Sequence, residues 1–379
     1  MKVLIVSRGI PTKQNPLLGS FEWDQAKALC KAGHRVTFFA LDLRSIRRKR
    51  SFGIFQRETD GMRIFVHSLP VGAIPPALFV KAGERALLSL YKRAFRAGDR
   101  PDVVHAHFTD MGCIASVLKR KKSLPLVITE HSSIMGREEV PESTLRMAKK
   151  GYAAADCLIA VSGELSAKIL QHTGMESRVI QNIIDPEVFL KCPKQEHTGF
   201  RFISVSNLIP RKRIGLLIDA FARVRRNAPE ACLDIVGDGE ERAMLEEKVT
   251  SYGLTDAVSF AGGLPRPEVA EHLAAADAFV LPSELETFGV VYAEAMMAGL
   301  PVIATTCGGP QDFVKDFTGL LGAYDTEETL AEAMEQMLRT KDAYDTARIR
   351  DYAVASFSPS VIAAQLTEVY EKCAVVPET

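Results

Sequence analysis

Short runs of β-branched and aliphatic residues alternate with longer helical patterns along this 379-residue chain, and no other property narrows the fold as far. In the first half the strand-like runs fall at residues 3–7, 35–40, 63–66, 103–107, 126–129, 157–161 and 179–181. Several are almost continuously apolar, as a parallel strand covered on both faces must be. Helical patterns lie between them, at 21–31, 111–119 and 164–171 for example. Such alternation predicts a doubly wound α/β sheet. It thins over residues 183–200, where two prolines and several charges predict a linker, and then restarts. Strand patterns at 202–205, 231–236, 258–260, 278–281 and 302–304 alternate with helical ones at 215–225, 240–251, 267–275 and 292–299. The expected fold class is therefore α/β, with two tandem Rossmann-like domains facing each other across a cleft. Their expected spans are 1–190 and 191–359, and the helical pattern that begins at 360 is expected to return to the first domain over 360–379.

Composition removes several function classes. With 47% apolar and 25% charged residues the chain has an ordinary globular core, which excludes disorder, collagen-like repeats and a disulfide-stapled scaffold. Basic and acidic residues balance at 47 each, and the basic segments lack interleaved stacking aromatics, so no nucleic acid partner is expected. The balance hides an asymmetry: residues 1–190 hold 29 Lys and Arg against 18 Asp and Glu, near +11, which leaves the rest near −11. The seven cysteines are scattered and form no CxxC pair, so neither a zinc site nor a disulfide framework is indicated. The opening MKVLIVSRG is too short an apolar run for a signal-peptide core, and no stretch reaches membrane-spanning length. A cytoplasmic protein with reduced thiols is expected.

In open α/β sheets ligands bind beyond the carboxyl ends of the strands, so the loops there carry the information. The loop after the first strand has Gly19 just before a helix, where backbone can approach a ligand and the helix N-terminus favours an anion. Neither this loop nor the GDG at 237–239 completes GxGxxG, so a nicotinamide cofactor has no support. In VSNLIPRKRI, the charges of Arg211, Lys212 and Arg213 sit where a strand feeds a helix and could converge on a phosphate. The most informative segment is ELETFGVVYAEAMMAGLPVIAT. It sets Glu286 and Glu294 with seven residues between them, around Phe288-Gly289, and the N–H groups of Val290 and Val291 open a helix. His131 ends a strand in TEHSS, and His105 and His107 end another. No metal-ligand trio and no GxSxG elbow is present.

These segments, with KAGHRVTFFA, PDVVHAHF, LDIVGDGEE and VSFAGG, resemble the retaining glycosyltransferases of family 4 (glycosyl transferases group 1) over nearly the whole chain. That family has the two-domain GT-B fold. The resemblance implies a UDP- or GDP-sugar donor bound mainly by the second domain, and a glycan or lipid-linked acceptor bound by the first. The pathway implied is cell-surface polysaccharide or glycolipid synthesis. Carried onto this chain, Glu294 would hold the donor ribose hydroxyls, and Glu286 would hold the donor sugar and face charge developing at its anomeric carbon. Lys212 would neutralise the leaving diphosphate, Gly19 would bring backbone N–H groups near it, and His131 would contact sugar or acceptor. Gly237, Gly263, Phe288, Gly289 and Val290 would complete the donor site. No metal and no cofactor is implied, and the route is front-face, with the leaving phosphate taking the acceptor proton. One departure is clear: the family's Arg five residues before the Lys is Asn207 here, which with Arg211 would still belong to the donor site but supplies no charge, and whether Arg211 or Arg213 compensates is open. A lesser one is Pro310-Gln311-Asp312, where Pro-Glu is more common.

Arg44, Arg47, Arg48, Lys49 and Arg50, and then Lys81, Arg85, Lys92, Arg93 and Arg96, lie among apolar residues. Two such segments suit an anionic membrane surface, so a peripheral place at the inner face of the cytoplasmic membrane is expected. Two rivals share the architecture. A nucleotide-sugar epimerase would release an isomeric sugar nucleotide without any acceptor. A non-catalytic sugar-nucleotide-binding subunit would bind donor without turnover.

Overall fold

The computed structural model describes residues 1–374 apart from Lys13, Gln14, Pro16, Leu17, Ile46, Arg48, Lys49, Ala73, Arg96 and Ala97. The chain forms two compact α/β units, Met1–Ile183 joined by the chain from Pro359 onward, and Ile184–Ser358. Within residues 183–200 the backbone forms a short helix, Pro186–Leu190, started by Pro186 and by the Asp185 carboxylate, which accepts from Glu187 N.

The first unit holds β1 (Lys2–Ser7), β2 (Arg35–Asp42), β3 (Gly53–Thr59), β4 (Met62–Ser68), β5 (Val103–His107), β6 (Leu126–Glu130), β7 (Cys157–Ala160) and β8 (Arg178–Val179). They form one sheet in the order β3-β4-β2-β1-β5-β6-β7-β8, parallel except for the β3–β4 hairpin. β1 and β5 are buried nearly throughout, which explains their continuous apolar runs. β3 has no counterpart in the sequence expectations: it is a half-exposed edge strand, and its apolar signal is diluted by Gln56, Arg57 and Glu58. Its signature is the turn instead, since Asp60 and Gly61 both take positive φ, 51° and 74°, as a two-residue Asp-Gly hairpin requires.

The helix Pro359–Ala374 packs on this unit and sinks Ile362, Leu366, Val369 and Tyr370 into a core shared with Val3, Ile5 and Phe38. Burial of each such aliphatic side chain is worth about 1.5–3 kcal/mol. Tyr370 Oη also meets His105 Nδ1 at 2.6 Å, while His105 Nε2 meets Thr129 Oγ1 at 2.7 Å. Both ring nitrogens of His105 are thus spent on the core.

The second unit has β9 (Arg201–Val205), β10 (Cys232–Val236), β11 (Val258–Gly262), β12 (Ala278–Leu281), β13 (Val302–Thr305) and β14 (Gly319–Gly322). All its pairings are parallel, in the order β11-β10-β9-β12-β13-β14. The strand order reverses between β9 and β12, and in the first unit between β1 and β5, and these switch points are where ligands bind such sheets. No described helix is long and apolar enough to cross a membrane.

Candidate active site

Five loops at the carboxyl end of the second sheet are tied together through their backbones. Ser206 N donates to Val236 O (3.0 Å), Leu208 N to Asp238 O (2.9 Å), and Gly237 N to Gly262 O (2.8 Å). Glu284 N donates to Arg211 O (2.9 Å), Glu286 N to Cys307 O (2.7 Å), and Gly309 N to Glu286 O (2.8 Å). This closeness accounts for the glycines. A Cβ on Gly237 (φ 146°) would lie 1.7 Å from Ser206 O, and one on Gly309 would lie 2.3 Å from Phe288 Cα. The GDG therefore serves backbone contact between neighbouring loops. Gly263 is different: a Cβ there would meet nothing closer than Asp238 Cβ at 3.7 Å, and the left-handed residue is its neighbour Gly262, at φ 77°.

Lys212 and Glu286 form an ion pair, each side chain 11% exposed. Lys212 closes the short 3-10 turn Pro210–Lys212, and Glu286 lies on the loop after β12. Ser283 Oγ donates to the same Glu286 Oε1 at 2.7 Å. Three residues on, Gly289 (φ 86°) caps the helix Val290–Met297, whose first N–H groups, beginning with Val290, have no carbonyl within the helix to meet. A helix N-terminus favours an anion, and a nearby cation adds to that preference. Glu294, one turn further, is buried at 6% exposure with Arg266 Nε 3.1 Å from its Oε1. Tyr292 Oη donates to Leu281 O at 2.5 Å and anchors the helix to β12. Burial pushes the nearby Cys307 thiol up to about 11, so it is no nucleophile at neutral pH.

Other expected residues are sorted by their surroundings. The Phe288 ring is 1% exposed and packs on Phe313 and Phe357 at 5.2 and 5.5 Å between ring centroids, so only its backbone is available to a ligand. Asn207 is exposed. Arg213 takes φ 52° at the start of the helix Ile214–Asn227 and pairs with Asp325 at 2.6 Å, so the three consecutive cations do not converge as expected. Arg211 is half-buried and makes no ion pair among the described residues. Arg266 and Ser283 were invisible in the sequence, because neither has a spacing signal linking it to the glutamates.

In the first unit the corresponding strand ends carry Gly19, Arg8, His107 and His131. Gly19 (φ 72°) caps the helix Ser20–Lys31, and a Cβ there would lie 2.4 Å from Gly9 O. Ser7 Oγ lies within hydrogen-bond distance of both the buried Glu22 carboxylate, at 3.0 Å, and Gly9 O, at 2.8 Å, tying the loop to its helix. His131 Nε2 meets His107 Nδ1 at 3.0 Å and its ring stacks on Phe21. Burial holds His105 and His131 down to about 3, and both are neutral at physiological pH. Arg8 lies 3.4 Å over the Phe108 ring centroid, and Phe108 itself is held at φ 67°.

The basic segment at 44–50 is partly spent internally. Arg44 and Arg50 both pair with Asp42, whereas Arg48, Lys49 and the more distant Arg96 lie outside the described residues, as do residues 375–379 of the expected C-terminal helix. No group of three or more His, Cys, Asp or Glu that could hold a metal is found among the described residues.

Residues 22–188 match the family described as Glycosyltransferase Family 4, and residues 191–353 match Glycosyl transferases group 1. The chain is 29% identical to a glycogen synthase of Mycobacterium tuberculosis over 328 residues, 82% of this chain and 79% of that one. Among solved structures it resembles sucrose-phosphate synthase from Thermosynechococcus elongatus, with TM-score 0.80 and 23% identity over 98% of each chain. It also resembles the Anabaena protein HepE, solved with UDP and glucose, with TM-score 0.73 and 21% identity over 98% of this chain and all of that one.

Proposed function

This chain belongs to the family 4, group 1 glycosyltransferases of the GT-B type, and on that premise we propose that it moves a hexose-type sugar from a UDP- or GDP-sugar to a hydroxyl of a glycan or lipid-linked acceptor. The transfer retains anomeric configuration and needs no metal. The observation that carries this reading is the buried Lys212–Glu286 pair beside the N-terminus of the helix Val290–Met297, with Glu294 buried on that helix. The HepE complex with UDP and glucose supports a donor of this class for the shared fold.

Lys212 exchanges Glu286 for the donor diphosphate, and with Arg211 and the Val290 N–H it stabilises the charge that builds on the leaving group. These cations and helix dipoles do the work a divalent metal does elsewhere. The bond between the anomeric carbon and the diphosphate oxygen breaks, and the acceptor oxygen bonds to that carbon on the same face. The acceptor proton passes to the departing phosphate oxygen, while Glu286 faces the oxocarbenium-like sugar. Glu294 accepts hydrogen bonds from the ribose hydroxyls, and His131 acts as a neutral hydrogen-bonding group toward the sugar or acceptor.

A peripheral membrane role in polysaccharide or glycolipid synthesis is supported by the helix Pro76–Ala94. Leu78, Lys81, Arg85 and Lys92 share one exposed face of it, with exposed Ile74 just before its start. That combination suits an anionic leaflet.

The test is thermal stabilisation by UDP-, GDP- and ADP-sugars without metal, on wild type and Glu294→Ala. A shift with one nucleotide class that Glu294→Ala abolishes supports the assignment. No shift with any of them, or one that survives the substitution, counts against it. The anomeric proton coupling of the product reads retention directly.

A further inference from the structure

A cavity of about 600 Å³ opens in the first unit where β1, β2 and β4 end, within the usual size of small-molecule sites. Gly9, Thr12 and Asn15 line it from the loop after β1, Asp42 and Arg44 from the end of β2, and Ser68 from the end of β4. It therefore lies at the carboxyl edge of the sheet, where α/β folds bind ligands.

Its charge is unbalanced. The Asp42 carboxylate accepts from Arg44 Nε at 2.7 Å and from Arg44 Nη2 at 3.0 Å, and it pairs with Arg50 Nε at 2.6 Å. Among the described lining residues, two guanidiniums on one carboxylate leave one positive charge. That charge does not belong to Arg50, which is 11% exposed and donates to the carbonyls of Ser45, Arg44 and Leu69 at 2.9, 2.7 and 3.0 Å. Arg50 holds the loop together. The Arg44 side chain is one-third exposed and, among the described residues, bonds only Asp42, with no partner for Nη1. The remaining wall suits a polyol: the Thr12 hydroxyl and Asn15 amide are polar, and the half-exposed Phe55 ring offers an aromatic face.

We propose that this cavity seats the acceptor, and that the acceptor is a hydroxylated molecule bearing an anionic group, phosphate or carboxylate, held by Arg44. The proposal rests on the glycosyltransferase reading and names the chemistry of its acceptor. A guanidinium with one donor edge already fixed by Asp42 is preorganised to present the other to an oxyanion.

The test is calorimetric titration of the full-length protein with α-glucose 1-phosphate, glucuronate and methyl α-glucoside. Each is run with and without the UDP or GDP that stabilises the protein, so that the diphosphate site is blocked in one arm. The expected result is that at least one anionic probe binds under both conditions, at least tenfold more tightly than methyl α-glucoside. Which anion binds identifies the group. Arg44→Gln weakens that binding about tenfold and Arg44→Lys restores part of it, with nucleotide affinity unchanged in both. Melting temperatures near wild type check that Arg50 still holds the loop. Equal affinity for methyl α-glucoside, no binding of either anion, or indifference to Arg44→Gln overturns the proposal. A wild type that binds no nucleotide strikes the donor reading instead, and the nucleotide-free arm reports on Arg44 independently.

Discussion

Replacing Lys212 with Met removes the ammonium from a Glu286 carboxylate that is largely buried. Both side chains are 11% exposed, and what remains for the carboxylate is the Ser283 hydroxyl at 2.7 Å. One neutral hydrogen bond does not offset the lost hydration of an ion. Removing one partner of a buried pair costs about 3–5 kcal/mol, and the residual exposure puts this case near about 3 kcal/mol. The second unit runs over residues 184–358, and in a domain of that size each kcal/mol moves the melting temperature by about 2–4 °C. Lys212→Met should therefore lower the melting of this unit by about 6–12 °C. Glu286→Gln leaves the ammonium without its counter-charge and lowers it as well. The double variant removes both charges, so it should melt above the sum of the two losses, with a coupling of about 1–3 kcal/mol. Scanning calorimetry of the full chain measures this, with nucleotide added to identify the transition of the second unit. A Lys212→Met shift under about 2 °C, or strict additivity, would refute the reasoning. Turnover of the donor should fall about 100- to 1000-fold in Lys212→Met, as for loss of one preorganised charge-stabilising group.

Gly237→Ala should lower both melting temperature and nucleotide affinity, because its Cβ would lie 1.7 Å from Ser206 O, whereas Gly263→Ala should change neither much; calorimetric titration of the two side by side decides it. Burial holds His105 and His131 at about 3 and His107 well below its ordinary value, so the unfolded chain takes up protons first as pH falls, and this stability is full above about pH 6.5 and lost below it. Glu22, Asp110 and Glu130, raised by burial, act the other way; hence His131→Phe isolates the histidine part, and its melting temperature should fall less between pH 7 and 5.5 than that of wild type. Anionic phosphatidylglycerol vesicles should retain the protein at low salt, and a Lys81→Gln, Arg85→Gln, Lys92→Gln triple variant should lose about 100-fold in partitioning; equal flotation of both would contradict the membrane reading. Arg266 is 37% exposed, so its pairing with Glu294 is worth little: Arg266→Gln should weaken nucleotide binding less than tenfold, and Glu294→Gln about ten- to hundredfold. The reverse order would show that Arg266 is itself the main nucleotide contact.

Most of the α/β order was legible because parallel strands buried on both faces cannot hide their apolar runs. The strand expected at 103–107 and the one at 278–281 match β5 and β12 residue for residue. What escaped was marginal in that signal. β3 faces solvent along much of its length, and β14 has glycines at both ends of GLLG. In the site, Glu286, Glu294 and Gly289 could be found because their spacing follows one helix and its entry turn. Arg266 could not, since it opens the helix that follows β11, at the far edge of the sheet from β12, and Ser283, on the same loop as Glu286, has no periodic mark that sets it apart from any other serine.

The run Arg211-Lys212-Arg213 shows why adjacency in sequence is a poor guide to where charge goes. In an extended or helical segment, three consecutive cations would repel one another and point to solvent. Here a 3-10 turn, followed by a left-handed residue at φ 52°, separates them. Lys212 is driven inward to a carboxylate at 9% residue exposure, and Arg213 is drawn off by Asp325, 112 residues away. Arg211 stays half-buried with no counter-ion among the described residues, its carbonyl fixed by Glu284 N at 2.9 Å. Asn207 carries no charge to fill the gap. Under the proposed function, with Arg213 engaged by Asp325, Arg211 is the member of the trio left to assist Lys212 at a diphosphate. Its loss should therefore raise the donor KM, whereas Arg213→Gln should leave it near wild type.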